Sequence, residues 1–275
     1  MPISMQLTYL RRAAEGPALI TVQDVKLGAR TSTIHITLSQ EDPPKLPSLS
    51  SSASPTASAQ SARLVGYITI SDPVAEVGIS GKTGWKLSPP APPGNPATSG
   101  SWALTSTLFP KFRHAANRVE IYKPASSQLN PIQKKGIFDV WSRIRPIIGD
   151  QDDDKPKWTD EGVAFLVDMY PMPVDGALPS SDLQSPPGGA LWFPTVTFNI
   201  DFKKQLPAGG VEWLYSRVQT KAVRNGRLDI GITIMDEGGE VVALGNQVAL
   251  VLDASRNTGG RQSSSTKSDA EKAKM

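Results

Sequence analysis

The sequence predicts an α+β protein, an antiparallel sheet in two related halves with a buried helix serving the second. Three observations carry this. Several segments alternate apolar and polar residues with period 2, which is the signature of half-buried strands. The segments of the C-terminal half repeat those of the N-terminal half in order and spacing. One stretch, WTDEGVAFLVDMYPMP (158–173), lacks that alternation and is apolar on every side of a helical wheel.

The strands come in two groups. SMQLTYLRR (4–12), PALITVQDVKLG (17–28), TSTIHITLSQ (31–40) and RLVGYITISD (63–72) form the first. TVTFNIDFKK (195–204), VEWLYSRVQTKAVR (211–224), LDIGITIMD (228–236) and EVVALGNQVALVLD (240–253) form the second. Along 195–202, Val196, Phe198, Ile200 and Phe202 alternate with Thr195, Thr197, Asn199 and Asp201. Successive strand side chains point to opposite faces, so the first set faces a core and the second does not.

Laid over each other, the groups match. Arg11-Arg12 falls on Lys203-Lys204, Gly28 on Gly226, Arg30 on Arg227, and Ile34-x-Ile36-Thr37 on Ile230-x-Ile232-Thr233. The separations stay within 192–198 positions. A chance likeness would drift, so the pattern reads as an internal duplication. The helical stretch precedes the second group, with Thr159 and Asp160 as candidate N-caps and Pro171 as its stop. A helix apolar all round is a buried one.

Between these elements lie PPKLPSLSSSASPTASAQSA (43–62), SPPAPPGNPATSGS (88–101), the acidic break GDQDDDKP (149–156) and a polar tail from 254 to 275. Their Ser, Pro and charge content marks them as surface excursions outside any core. The expected organisation is an N-terminal half over 1–110, a C-terminal half over 111–253 and a disordered tail over 254–275.

Composition removes several chemistries. With no Cys there is no disulfide, thiolate nucleophile or thiolate metal site. The two His, His35 and His114, are far apart and lack metal-ligand spacing. No metal or cofactor is expected. A net charge of +3 without a dense basic run argues against nucleic acid, and no window approaches the roughly 20 apolar residues of a membrane span. The N-terminus does not read as a secretory leader, so the expected location is the cytoplasm. The terminal Ala273-Lys274-Met275 is a loose variant of the Ser-Lys-Leu peroxisomal address, read against a plain solvated tail.

A helix followed by a sheet that curls round it, occurring twice, looks like a double hotdog. WLYSRVQTKAVRNGRLDIGITIMDEGGEVVALGNQ (213–247) resembles acyl-CoA thioesterases of the thioesterase II type and their fungal thioesterase-like relatives. The family carries a Trp-led strand, a Gly-Arg or Arg-Gly turn, then D-x-x-G-x-[LV]-V-A, here within DEGGEVVALGNQ, and a Gln a few residues on. The resemblance implies a catalytic Asp on the second hotdog helix, a Thr at the start of the following strand and a Gln on the last strand. These fall on Asp168, Thr195 (with Thr197 as fallback) and Gln247. It also implies substrate binding at Gly226 and Arg227, the latter on coenzyme A phosphates.

The residues themselves support two of the three. Asp168 is the lone charge in the apolar run AFLVDMYPM, and a buried carboxylate needs a partner or a function. The plainer alternative is an Asp that binds a nearby backbone N–H. Gln247 interrupts an apolar strand beside small residues, Ala243, Gly245 and Ala249, which leave room for an approaching group; the alternative is an amide that ties strands together. Thr195 reads by alternation as an ordinary strand-end Thr. Trp141, Trp192 and Trp213 read as core. The chemistry that fits is water activation, with Asp168 as base and Thr195 and Gln247 holding the water.

Family members begin with a strand and helix that this sequence lacks, so the first hotdog is expected to lack its helix. Its apolar face would then be uncovered. At roughly 25 cal/mol per Å², several hundred Å² of exposed surface is large against a total stability of about 5–15 kcal/mol. Another copy, a loop or a truncated gene would account for it, and a homo-oligomer is the expectation. The expected function is an acyl-CoA thioesterase-like hydrolase of lipid metabolism acting on acyl thioesters. The alternatives are a catalytically impaired hotdog scaffold, or a biosynthetic-cluster enzyme acting on a polyketide or other acyl thioester.

Overall fold

The computed structural model describes residues 1–42, 60–105, 114–125, 136–146, 155–169 and 191–253. The N-terminal strands are β1 (Pro2–Tyr9), β2 (Leu19–Lys26), β3 (Thr31–Glu41) and β4 (Gln60–Ser71). Then come β5 (Trp102–Thr105), β6 (Val119–Pro124), β7 (Ile137–Ile144) and the helix α1 (Asp160–Asp168). The C-terminal strands are β8 (Leu191–Trp192), β9 (Thr195–Phe202), β10 (Leu214–Gln219), β11 (Val223–Arg224), β12 (Arg227–Met235), β13 (Val241–Leu250) and β14 (Leu252–Asp253).

Eleven of these strands run antiparallel in one sheet, in the order β2-β3-β4-β1-β9-β13-β12-β10-β7-β6-β5, with β11 hanging on β12. The duplication is visible in that order. Reading outward from the centre, β1-β4-β3-β2 on one side mirrors β9-β13-β12-β10 on the other. The halves join where β1 pairs with β9, from Ser4 opposite Asp201 to Thr8 opposite Thr197. This is the double hotdog, with a single short α-helix among the described residues.

The helix packs on the concave face of the second half. Val163, Leu166 and Val167 are buried there with Phe198, Ile200, Ile230, Ile232 and Ile234. Gly245 makes the close approach possible, because a Cβ at that position would lie 2.4 Å from Val167 Cγ1. Thr159 is the N-cap residue, but its hydroxyl turns to the Glu161 carboxylate. Asp160 instead accepts the backbone N–H of Leu206 at 2.9 Å, tying the helix start to the loop after β9. The described helix ends at Asp168, so the expected stop at Pro171 lies outside the described residues. The helix is also not buried all round: Phe165 is 41 % exposed.

The first half has the same sheet and no described helix. Its core-facing residues follow from register with the second half: Met5 and Leu7 on β1, Ile68 on β4, Ile34 and Ile36 on β3, Val22 on β2. No apolar side chain from residues 1–42 or 60–71 is buried, and β2 is exposed along its whole length.

Several expectations change. Strands β5, β6 and β7 extend the second half and were not foreseen. The segment read as one strand over 211–224 breaks between β10 and β11, where the Asp229 carboxylate accepts the N–H groups of Lys221 and Ala222. The last strand breaks at Val251, whose N–H bonds Gly226 O. Gln60, Ser61 and Ala62, assigned to the linker, pair with β3 instead. The Pro-rich loop 88–101 packs against the convex face. There Trp102, Trp141, Trp213 and Tyr215 cluster with Leu87, and Trp102 Nε1 donates to Pro93 and Gly94 carbonyls. Beneath it, Arg217 holds Asp139 through both carboxylate oxygens and donates to the Pro89 carbonyl.

Candidate active site

Asp168 is the last residue of α1, and three side chains from three strands converge on it. Gln247 on β13 donates through Nε2 to Asp168 Oδ1 at 3.2 Å and to the Val167 carbonyl at 3.1 Å. Thr195 on β9 donates through Oγ1 to the same Oδ1 at 3.4 Å. The hydroxyl of Tyr9 on β1 lies beside the same carboxylate, close enough for the two groups to influence each other electrostatically. The three residues foreseen from the sequence are thus together in space.

Gln247 is 2 % exposed. Its amide therefore had to find partners inside the protein. It pairs in register with Ile230 on β12 and Phe198 on β9, both core residues, so its side chain faces the helix. The bonds it makes join sheet to helix rather than strand to strand. They also satisfy Val167 O, one of the carbonyls that a helix end leaves without an intrahelical partner.

Thr195 reaches the site because β9 is irregular. Thr197 pairs with Val248, yet Ala249 pairs with Thr195, so Val196 is the extra residue of a β-bulge. A bulge shifts the alternation by one and re-aims the side chains beyond it. Thr195 therefore joins the concave face with Gln247 and Ala249, while Thr197 stays on the convex face. The alternation Val196-Phe198-Ile200-Phe202 is kept only from Phe198 onward.

The electrostatics suit a general base. Asp168 opens to solvent on one side, but the neighbours of its carboxylate withdraw enough water to push its pKa up. The bonds from Thr195, Tyr9 and Gln247 oppose that rise by stabilising the ionised form. Its place at a helix C-terminus also disfavours negative charge. The result is a carboxylate that is more basic than an ordinary surface Asp and held by donors on one side.

Gly226 and Arg227 are elsewhere in the second half. Asn225 and Gly226, with φ 52° and 71°, form the two-residue turn between β11 and β12. Such a turn needs positive φ at both positions, which Asn-Gly supplies. Arg227 follows, opposite Leu250, three positions along β12 from the partner of Gln247. The alternation along β12 directs it to the convex face, where it lines a shallow groove with Lys221, Arg224 and Asp229. It shares an end of the sheet with Thr195 but does not meet the Asp168 cluster.

Tyr9 is the site residue the sequence reading missed. Nothing local marks it, since QLTYLRR is an ordinary alternating strand. Only the pairing of β1 with β9 at the centre of the sheet carries it to Asp168.

The comparisons with known proteins agree with this architecture. Residues 88–251 match the family described as acyl-CoA thioesterase C-terminal domain, and residues 1–56 match its N-terminal domain. The thioesterase-like protein TwmA of Talaromyces wortmannii is 31 % identical over 298 residues, spanning 96 % of this chain and 80 % of that protein. The chain belongs to the acyl-CoA thioesterase family. Among solved structures, an acyl-CoA thioesterase II of Mycobacterium marinum superposes with a TM-score of 0.60 at 18 % identity, covering 92 % of this chain and 81 % of the other. A hot dog protein of unknown function from Alicyclobacillus acidocaldarius gives 0.63 at 14 % identity, covering 92 % and 79 %. At those identities the superpositions establish the fold alone. In this thioesterase-family chain, the N-terminal match takes in β1 to β3 and the C-terminal match takes in β5 to β13 with the helix.

Proposed function

We propose that the protein hydrolyses acyl-CoA or a related acyl thioester at Asp168. One observation carries the reading: Thr195 and Gln247, from two separate strands, both donate to one carboxylate of raised basicity, with the Tyr9 hydroxyl of a third strand beside it. Asp168 takes a proton from a water as its oxygen attacks the thioester carbonyl carbon. The tetrahedral oxyanion collapses, the C–S bond breaks, and the thiolate leaves with the proton that Asp168 returns. A carboxylic acid and a free thiol result. Thr195 and Gln247 orient the carboxylate and the water, a positioning role whose value in rate is large because the geometry is fixed before reaction. Arg227, with Lys221 and Arg224 in the same groove, would meet the coenzyme A phosphates, and Gly226 sets the turn that presents it.

Lipid metabolism is the corresponding role, with the first half, whose described residues bury no apolar side chain, closed by a second copy in a homo-oligomer. No helix among the described residues is long and apolar enough to cross a membrane. The Ala273-Lys274-Met275 terminus of the peroxisomal reading lies outside the described residues. A second reading, a hotdog scaffold without catalysis, draws on the exposed β2 face. Thiol release from acyl-CoA by the purified chain separates the two. Hydrolysis above the blank, reduced about 10²-fold or more in Asp168→Ala, is expected for removal of a general base. A wild type and an Asp168→Ala variant that both match the blank would end the enzymatic reading. A polyketide thioester turned over in preference to acyl-CoA would move the substrate assignment to the biosynthetic alternative.

A further inference from the structure

We propose that Tyr9 is a positioning residue for Asp168, contributed by the first half of the sheet to a site otherwise built by the second; this rests on reading Asp168 as the base.

Register places Tyr9 there. The β1–β9 ladder ends at Thr8 opposite Thr197, so Tyr9 is the next residue, level with the bulge that turns Thr195 inward. Leu7 faces the core opposite Phe198, and alternation puts Tyr9 on that same face. The ring packs against the helix-bearing core of the second half. From that position its hydroxyl lies beside the Asp168 carboxylate, poised to donate to it.

The chemistry of the pair is one-sided. A phenol beside a carboxylate can only donate to it, and burial together with the Asp168 charge pushes the Tyr9 pKa far up. The hydroxyl therefore keeps its proton at any working pH. Gln247 and Thr195 are the other donors, both from the second half. Among the described residues Tyr9 is the one that brings the first half into the cluster, and it does so on the central strand that joins the halves. Losing the hydroxyl removes a bond that favours ionised Asp168, so Asp168 should then hold its proton to higher pH.

The test follows the Asp168 carboxyl by carbon-13 NMR in aspartate-labelled protein, alongside the pH dependence of kcat/KM for a short acyl-CoA. Tyr9→Phe keeps the ring and its packing. It is expected to move the Asp168 titration and the acid limb of kcat/KM upward together, by about one pH unit, the scale of a lost hydrogen bond to a charged group. A 3-fluorotyrosine at position 9 is a stronger donor of the same shape and should move both quantities downward. An Asp168 titration unmoved in both folded variants overturns the proposal. A titration that moves in a protein without thioester hydrolysis upholds Tyr9 as the residue that sets Asp168, and refutes the thioesterase reading instead.

Discussion

The two halves of the sheet share one plan and differ in what lies on it. Ile36 of β3 faces Gly66 of β4, which faces Leu7 of β1. In the second half Ile232 of β12 faces Gly245 of β13, which faces Ile200 of β9. The glycine occurs at the same register point in both. Over Gly245 lies Val167 of the helix, whereas over Gly66 lies the side chain of Leu7 from the adjoining strand. Two register positions beyond the glycine stands Gln247 in one half and Ile68 in the other. The amide appears only where a helix end arrives to use it. The comparison teaches that the sheet is the common scaffold, while the buried core and the candidate chemistry both depend on the helix.

The largest effect that separates the halves should be on stability. Ile232 is 2 % exposed under the helix, and Ile232→Ala should cost about 2–5 kcal/mol in urea unfolding, as other buried Ile truncations do. Ile36→Ala, its counterpart, should cost about 1 kcal/mol or less, because its face is only half-buried. Equal costs at the two positions would show that the first face is covered in solution. That result would agree with an oligomer, which light scattering would then detect.

The next contrast is in activity. Gln247→Leu keeps the volume but removes both bonds, leaving the Val167 carbonyl unpaired and Asp168 short of a donor. Thioester hydrolysis should fall about 10²-fold, the scale seen on deleting a preorganised donor. The mirrored variant Ile68→Gln should leave activity within about twofold. A Gln247→Leu enzyme of near wild-type rate would reduce the amide to a structural tie.

A smaller effect tests the bulge. Thr195→Ala should lower activity by about tenfold, in line with a weak 3.4 Å bond to Asp168. Thr197→Ala, two residues on and facing away, should be neutral. A neutral Thr195→Ala would instead fit a regular β9, in which Thr195 and Thr197 both face away from Asp168 and the alternation read from sequence holds throughout.

How much of this was legible follows from the kind of signal each feature leaves. The duplicated strands were readable because one face is polar and the other apolar. Asp168 and Gln247 stood out because each is a polar residue in an apolar run. Strands β6 and β7 left a weaker trace. In β7, Val140 and Ser142 are buried against the helix side while Asp139 and Trp141 are buried under the Pro-rich loop. A strand covered on both faces loses its period of 2. The loop itself looked like surface because its packing partner, the Trp cluster, is distant in sequence. The Thr195 bulge and the Tyr9 contact left no trace. Both depend on how β9 meets its neighbours, β13 on one side and β1 on the other.

The smallest effect concerns pH and stability at the site itself. The folded-state pKa of Asp168 is raised above its unfolded value, chiefly by burial. Between those two values the folded protein binds more protons than the unfolded chain, so stability falls as pH rises through that window. Above the folded value the whole cost of keeping Asp168 ionised is present. Below the unfolded value it is absent. Asp168→Asn removes the titration and keeps an oxygen that can accept from Gln247 and Thr195. The variant should therefore melt at or slightly above the wild-type temperature at neutral pH and match it in acid, while its hydrolysis is lost. The first half has no described counterpart of this carboxylate, so a substitution there should not reproduce the pattern. A variant less stable than wild type at neutral pH would mean that the three donors outweigh the burial, and that Asp168 holds the helix to the sheet as an ordinary ionised anchor.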